Sequence, residues 1–139
     1  MFKRILLAYD GSEHAQHAAE YAKELALRFK SELLIVYAFN PIPRWWGDPL
    51  VENAMQRETK HAGEVIQKAF AFFQGTNIHL DSQIIEGPAA EAILRAAEGQ
   101  MIDAIVIGSR GLGQATGLLL GSVSDKVMHN APCTVVVVK

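Results

Sequence analysis

The sequence predicts an α/β protein: a single doubly wound, five-stranded parallel sheet with helices on both faces, in a Rossmann-like or flavodoxin-like three-layer sandwich. Two observations support this fold class. Continuous apolar runs of strand length recur along the 139 residues, and the segments between them carry apolar residues every three to four positions, as helices with one buried face do. Alternation of strand and helix favours a parallel sheet.

Five segments are predicted as strands. RILLAY (4–9) and ELLIVYAF (32–39) are continuous apolar runs, which is typical of strands covered on both faces. IHLDSQIIEG (78–87) alternates more and is predicted to be less buried. DAIVIG (103–108) and CTVVVVK (133–139) are rich in β-branched residues, which favour strands.

Four helices are predicted between these strands. Pro88 suits the first position of the third helix, whereas Asn130 and Pro132 are expected to end the fourth. The recurring apolar positions are Ala15, Ala18, Ala19, Ala22, Leu25 and Phe29 in the first helix; Ala62, Val65, Ile66, Ala69, Phe70 and Phe73 in the second; Ala89, Ala90, Ile93, Leu94 and Ala97 in the third; and Leu119, Leu120, Val123 and Val127 in the fourth.

Composition narrows the partners and the compartment. The formal net charge of −2 offers no overall attraction for nucleic acid or an anionic membrane, so neither is expected. No apolar run is long enough for a signal peptide or a bilayer span. Cys133 is the single cysteine, which rules out an internal disulfide and favours a cytoplasmic location. Its position before an apolar strand predicts a buried, inert thiol.

The predicted topology directs attention to two loops. In doubly wound sheets, ligands bind beyond the carboxyl ends of the strands where the strand order reverses. The first and fourth strands are expected to flank that point. Their carboxyl ends continue into AYDGS (8–12) and IGSRG (107–111). We therefore expect the ligand site between these two loops.

The second loop opens the stretch GSRGLGQATGLLLGSVSDK (108–126), which contains five glycines. Glycines let backbone N–H groups approach an anion closely, and a helix start favours negative charge. Hydroxyls at Ser122 and Ser124 and the cation Arg110 would add donors. The alternative for Ser122 is a simple helix N-cap that needs no ligand.

Asp10 also has two interpretations. It is a candidate ligand contact because it follows the first strand at the switch point. An Asp in this position also commonly forms an Asx-turn, and Ser12 would then cap the first helix.

The two best-known nucleotide fingerprints are absent. GLGQAT has Thr116 where the dinucleotide motif needs glycine, and no lysine follows Gly121 as a P-loop requires.

One spacing does match a known pattern. Gly108, two residues, Gly111, nine residues and then Gly121-Ser122 is similar to the Gly-x2-Gly-x9-Gly-[Ser/Thr] motif of ATP-binding universal stress proteins. The opening ILLAYDGSEHA and the ending APCTVVVVK resemble the same family. The resemblance covers the whole chain. It implies one universal stress protein domain over residues 1–139 and the strand order 3-2-1-4-5.

The resemblance also implies a nucleotide site, with ATP, AMP or ADP as ligand and Mg²⁺ bound through phosphate oxygens. Asp10 would hydrogen-bond the ribose, and Ala8 and Ala38 would line the adenine pocket. Because the family often has residues larger than alanine at these two positions, the base pocket of this chain is expected to be wider. No catalytic residue and no protein metal ligand is expected. Arg110 is added for its positive charge. The candidate nucleotide-binding residues are therefore Ala8, Asp10, Ala38, Ile107, Gly108, Arg110, Gly111, Gly121, Ser122 and Val123.

The resemblance favours a nucleotide-dependent stress-response or signalling protein in which ATP acts mainly as a bound effector. A slow ATPase or nucleotidyl-transfer enzyme using the same site is one alternative, because phosphoryl transfer can depend on positioning and metal alone. A protein-interaction module with a vestigial site is another. The family implies a homodimer formed through the strand Thr134–Val138, and an unknown protein partner is also expected.

Two other features have open interpretations. The connector PIPRWWGDPL (41–50) contains adjacent tryptophans. It either packs them onto the second helix or forms a lid or partner surface. His14 and His17 are three residues apart on the first helix, on what is expected to be its solvated side, and no cysteine or carboxylate cluster completes a metal site beside them.

Overall fold

A computed structural model describes residues 1–111 and 120–139. Strands and helices alternate as predicted, with a short 3₁₀ turn at Arg44–Trp46. The strands are β1 (Arg4–Ala8), β2 (Glu32–Phe39), β3 (Leu80–Glu86), β4 (Ala104–Gly108) and β5 (Thr134–Val138). The helices are α1 (Glu13–Phe29), α2 (Asp48–Ala71), α3 (Ala89–Gly99) and α4 (Ser122–Asn130).

The five strands form one parallel sheet in the order β3-β2-β1-β4-β5. The strand order and the α/β class predicted from the sequence are therefore confirmed. Since the chain moves outward from β1 through β2 to β3 and then crosses to β4, the order reverses between β1 and β4. The carboxyl ends of these two strands define the switch point.

The central strand β1 supplies both hydrophobic cores. Ile5 and Leu7 face α1 and α2, whereas Leu6 and Ala8 face α3 and α4. Burial on both faces explains why β1 is a continuous apolar run in the sequence. None of the helices in the described ranges has the length and apolar character needed to cross a membrane.

Helix α2 begins earlier than the apolar pattern indicated. It starts at Asp48 rather than near Ala62, so the connector is shorter than predicted. Proline in the first turn is compatible with this start, because the N–H that it lacks has no partner inside the helix. The apolar pattern did not predict the early turns because their residues are mostly exposed, with Ala54 as the buried apolar residue among them.

The start of α4 also differs from the prediction. The apolar pattern placed Leu119 and Leu120 in the helix, whereas the helix begins at Ser122 and Leu120 precedes it. Leu119 lies outside the described residues, as do Gly113 and Gly117 of the glycine-rich stretch. The predicted end at Asn130 is confirmed.

Helix α1 approaches β4 closely. Its buried face consists of five alanines, whose small side chains allow a short distance between helix and sheet. A Cβ atom at Gly108 would lie 2.8 Å from the carbonyl carbon and the Cβ of His14. Glycine at the end of β4 is therefore required by packing against α1, whether or not a ligand is present.

We expect Gly108→Ala to destabilise the protein by about 1–3 kcal/mol, because backbone must shift to admit the methyl group. Gly63→Ala is the matched control, since a Cβ there meets nothing within 4 Å inside α2. It should stabilise the protein by about 0.5–1 kcal/mol through helix propensity. Urea denaturation measures both changes, and equal midpoints for the two variants would contradict the packing argument.

Candidate functional site

A cavity of about 430 Å³ opens at the switch point between β1 and β4. Its size falls in the range of small-molecule sites. All ten residues selected from the sequence line it: Ala8, Asp10, Ala38, Ile107, Gly108, Arg110, Gly111, Gly121, Ser122 and Val123. The structure thus brings the candidate residues together, and their contact with a ligand remains a prediction.

Six lining residues were not selected from the sequence. They are Tyr9, Ala15, Val36, Ala89, Ile93 and Ser124; of these, the Ser124 hydroxyl was predicted as a possible donor but not as a site residue. The most informative are Ala89 and Ile93, because they bring α3 into the site. Helix α3 crosses from edge strand β3 to β4, so its first turn lies over the carboxyl edge of the sheet. Their spacing of four residues was visible in the helical pattern, but it predicted only burial.

The turn between β1 and α1 is held by its own side chains. The Asp10 Oδ1 atom accepts a hydrogen bond from the Ser12 N–H at 2.9 Å, and the Ser12 hydroxyl accepts one from the Ala15 N–H at 3.1 Å. The Asx-turn and the helix cap are therefore both present. The other carboxylate oxygen faces the glycine-rich loop, because a Cβ at Gly111 would lie 2.5 Å from Asp10 Oδ2. Glycine at 111 leaves room for this carboxylate.

The start of α4 differs from the N-cap hypothesis. Gly121 is the N-cap, no side chain caps the helix, and Ser122 is the exposed first residue. The hypothesis that Ser122 is the cap is therefore wrong. The Gly121 N–H donates to the Ser109 carbonyl at 2.6 Å, so this amide is already engaged. The amides of the next positions, Ser122 and Val123, have no acceptor one turn back in the helix.

Two buried tyrosines lie beside the site and carry no charge at neutral pH. Burial raises the pKa of Tyr9, and the nearby Asp10 carboxylate raises it further. Burial likewise raises the pKa of Tyr37, with additional contributions from Glu58 and Asp10. Because an ionised phenol is disfavoured at both positions, neither tyrosine opposes the binding of an anionic ligand.

The connector is anchored by a carboxylate at the end of β3. The Glu86 side chain accepts hydrogen bonds from the Ile42 N–H at 2.9 Å and from the Arg44 guanidinium at 2.6 Å. Trp45 is 84% exposed and Trp46 42% exposed. The prediction that both tryptophans pack onto the second helix is therefore wrong for Trp45, which is exposed to solvent.

Two further predictions have mixed outcomes. His14 is half-buried, with its Nδ1 atom 3.2 Å from the Ser109 hydroxyl, so placing it on the solvated side was wrong; His17 is exposed. Cys133 is half-buried, and burial, followed by the Asp103 charge, raises the pKa of its thiol. A thiol held in its protonated form is a poor nucleophile, which agrees with the inert interpretation.

A parallel sheet in this order, with a cavity at its switch point, places the chain among the doubly wound α/β proteins, a fold class whose ligand sites lie at the carboxyl edge of the strands. The chain belongs to the universal stress protein family, whose family model matches residues 1–139. It is 46% identical over 140 residues to the universal stress protein in the QAH/OAS sulfhydrylase 3′ region of Thermus aquaticus, covering 100% of both chains.

Solved structures agree with this assignment. Universal stress protein UspA from Lactobacillus plantarum superposes with a TM-score of 0.90 at 27% identity, covering 99% of this chain and 98% of that one. A family protein from Arabidopsis thaliana with AMP bound has a TM-score of 0.71 at 19% identity, covering 99% and 91%. Other structures of this fold are complexes with dAMP and with cAMP.

The Glu86 anchor predicts a pH dependence. Hydrogen bonds from Arg44 and from the Ile42 amide lower the pKa of Glu86 from its ordinary value of 4.5. A lowered pKa means that the anchor stabilises the fold above about pH 4.5 and is lost as the pH falls through the folded-state value. Tryptophan anisotropy reports on the connector, since Trp45 and Trp46 are the two tryptophans of the chain.

We expect constant anisotropy from pH 7 to 5 and a fall only below pH 4.5, with far-UV circular dichroism unchanged. In Glu86→Ala the connector lacks its acceptor, so anisotropy should already be low at pH 7. A wild-type transition centred above pH 5, or a Glu86→Ala value matching wild type at pH 7, would show that this carboxylate does not hold the connector.

Proposed function

We propose that this universal stress protein binds ATP, or AMP or ADP, in the cavity at the switch point, and that the bound nucleotide acts as an effector in a stress-response or signalling role. One observation carries the proposal: a single cavity joins an apolar wall on the sheet to the amide end of α4. A nucleotide requires both surfaces, one for its base and one for its phosphates.

The apolar end suits a planar base. Ala8 and Ile107 lie at the carboxyl ends of β1 and β4 and belong to the core beneath α3 and α4. Ala38 extends this wall from β2, and Ile93 of α3 faces it across the cavity. Burial of a flat aromatic ring between such side chains is favourable in proportion to the apolar area removed from water.

The opposite end suits phosphates. The amides at the start of α4 that have no acceptor within the helix, together with the helix dipole, favour negative charge, and Arg110 also lines the cavity. Asp10 lines the same cavity beside Gly111, and we assign its carboxylate to a ribose hydroxyl. No group of three or more His, Cys, Asp or Glu residues that would hold a metal occurs in 1–111 and 120–139, so Mg²⁺ would be bound by phosphate oxygens.

The known complexes support nucleotides as the ligand class. Structures of the same fold hold AMP, dAMP and cAMP, and these ligands share an adenine base and a phosphate group. ATP as the ligand of this chain is our proposal. The chemistry of the described site supports binding directly, whereas it does not by itself call for hydrolysis.

Calorimetric titration of nucleotide-free protein with Mg-ATP tests the proposal. We expect saturable binding, weakened about tenfold or more by Gly121→Val, which corresponds to ~1.4 kcal/mol. A Cβ at this position would already lie 3.3 Å from the Ser109 carbonyl oxygen, so the valine methyls must crowd the loop or the cavity. Cys133→Ala is the control and should bind as wild type does. Absence of heat up to millimolar ATP would refute the proposal.

We also propose a cytoplasmic homodimer formed through β5. This strand is the edge of the sheet, and Val135, Val136 and Val137 are only half-buried in the single chain. An apolar edge strand with unpaired backbone groups favours pairing with a second copy. A two-fold axis would place the two β5 strands antiparallel.

Val137→Pro tests the dimer without breaking the sheet. The Val138 carbonyl accepts from the Ser109 N–H on the β4 side, so the neighbouring Val137 N–H points to the open edge. Proline is tolerated at such a position. We expect wild type to sediment as a dimer and Val137→Pro as a folded monomer. A monomeric wild type, or a variant that remains dimeric, would exclude pairing through β5.

A further inference from the structure

Helix α4 contains a buried serine whose hydroxyl bonds outside its own helix. Ser124 is 2% exposed, and its hydroxyl donates to the Ser109 carbonyl at 2.8 Å, with the Gly121 carbonyl at 3.1 Å. The same Ser109 carbonyl accepts the Gly121 N–H. One carbonyl oxygen thus receives two donors from the first turn of α4, and this joins the two ends of the segment 110–120.

This bond is not helix capping. Ser124 is the third residue of α4, and its acceptor lies 15 residues earlier in the chain. The acceptor is itself fixed, because Ser109 is 2% exposed and its N–H donates to the Val138 carbonyl of β5 at 2.6 Å. The Ser109 hydroxyl also lies 3.2 Å from Nδ1 of His14 in α1. Ser124 therefore attaches the start of α4 to a residue held by both β5 and α1.

We propose that Ser124 is a positioning residue for the phosphate end of the nucleotide site. It holds the amides of Ser122 and Val123, which have no acceptor within the helix, at a fixed position relative to Gly108 and Gly111, at the other end of the loop. The helix start is then in place before the ligand arrives, which reduces the ordering cost of binding. The inference rests on the proposed nucleotide-binding function.

This role predicts a selective effect. The base end of the cavity is formed by Ala8, Ala38 and Ile93 on other elements, and it does not depend on the Ser124 hydroxyl. Loss of this hydroxyl should therefore weaken ligands that carry phosphates and leave adenosine nearly unchanged. If the serine had a purely structural role, loss of its hydroxyl would weaken the binding of both kinds of ligand equally, or of neither.

The experiment compares Ser124→Ala with Ser31→Ala. Ser31 is a matched control because it is 4% exposed and its hydroxyl also donates to a backbone carbonyl, that of Phe2. Both residues lie at the amino-terminal ends of β1 and β2, away from the cavity. The dissociation constants for Mg-ATP and AMP are measured by calorimetry, and that for adenosine by displacement of AMP. Unfolding midpoints of both variants are measured in parallel.

We expect Ser124→Ala to raise the dissociation constant for Mg-ATP about fivefold, the size of one lost hydrogen bond, and that for adenosine less than twofold. Ser31→Ala should leave both dissociation constants within about twofold of wild type. It should lower the free energy of unfolding by about as much as Ser124→Ala does. If Ser124→Ala is not obtained folded, Ser124→Cys, which conserves the volume and weakens the donor, gives the same comparison.

Two results would overturn the positioning role: unchanged ATP affinity in Ser124→Ala, or an equal loss for ATP and adenosine. Failure of the wild-type protein to bind any nucleotide would instead refute the proposed function. The wild-type titration therefore separates the two hypotheses before the variants are compared.

Discussion

The close approach of α1 to β4 is the constraint on which the site depends. It requires glycine at 108, because a side chain there would overlap the backbone of α1. With the helix this close, His14 lies within contact of Ser109, the residue that leaves β4. The loop after β4 therefore starts from a fixed point. Asp10 and Ser12 start α1 from the neighbouring strand, so both sides of the cavity are set by one helix–sheet contact.

Backbone groups supply most of the polar chemistry at the proposed phosphate end of the cavity. A helix start presents amides whose partners do not exist within the helix, and here the N-cap is a glycine without a side chain. Gly111 and Gly121 lie so close to Asp10 and to Ser109 that larger residues would disturb these contacts. Glycine at these two positions is therefore required by the internal geometry of the loop, whether or not a ligand is present.

The sequence, through its family resemblance, was sufficient for the strand order and for ten of the residues that line the cavity, and insufficient for hydrogen-bond partners. Continuous apolar runs identify β1 and β4 because strands buried on both faces have no polar side. The glycine spacing identified residues that line the cavity at the start of α4, the proposed phosphate end. It could not show that the Gly121 amide is engaged by Ser109, because that bond depends on where α4 lies relative to the sheet. The early start of α2 was missed because exposed helical turns carry little apolar periodicity.

Ser109 links the candidate nucleotide site to the sheet edge. Its N–H bonds the carbonyl of Val138 in β5, and its carbonyl receives both donors from the first turn of α4. These groups belong to one residue, so a displacement of β5 would change the position of the acceptor that holds α4. In the reverse direction, a displacement of the start of α4 would move Ser109 and, through its N–H, act on the end of β5. A fold that uses one buried residue for both contacts has a short physical path between its edge strand and its ligand cavity.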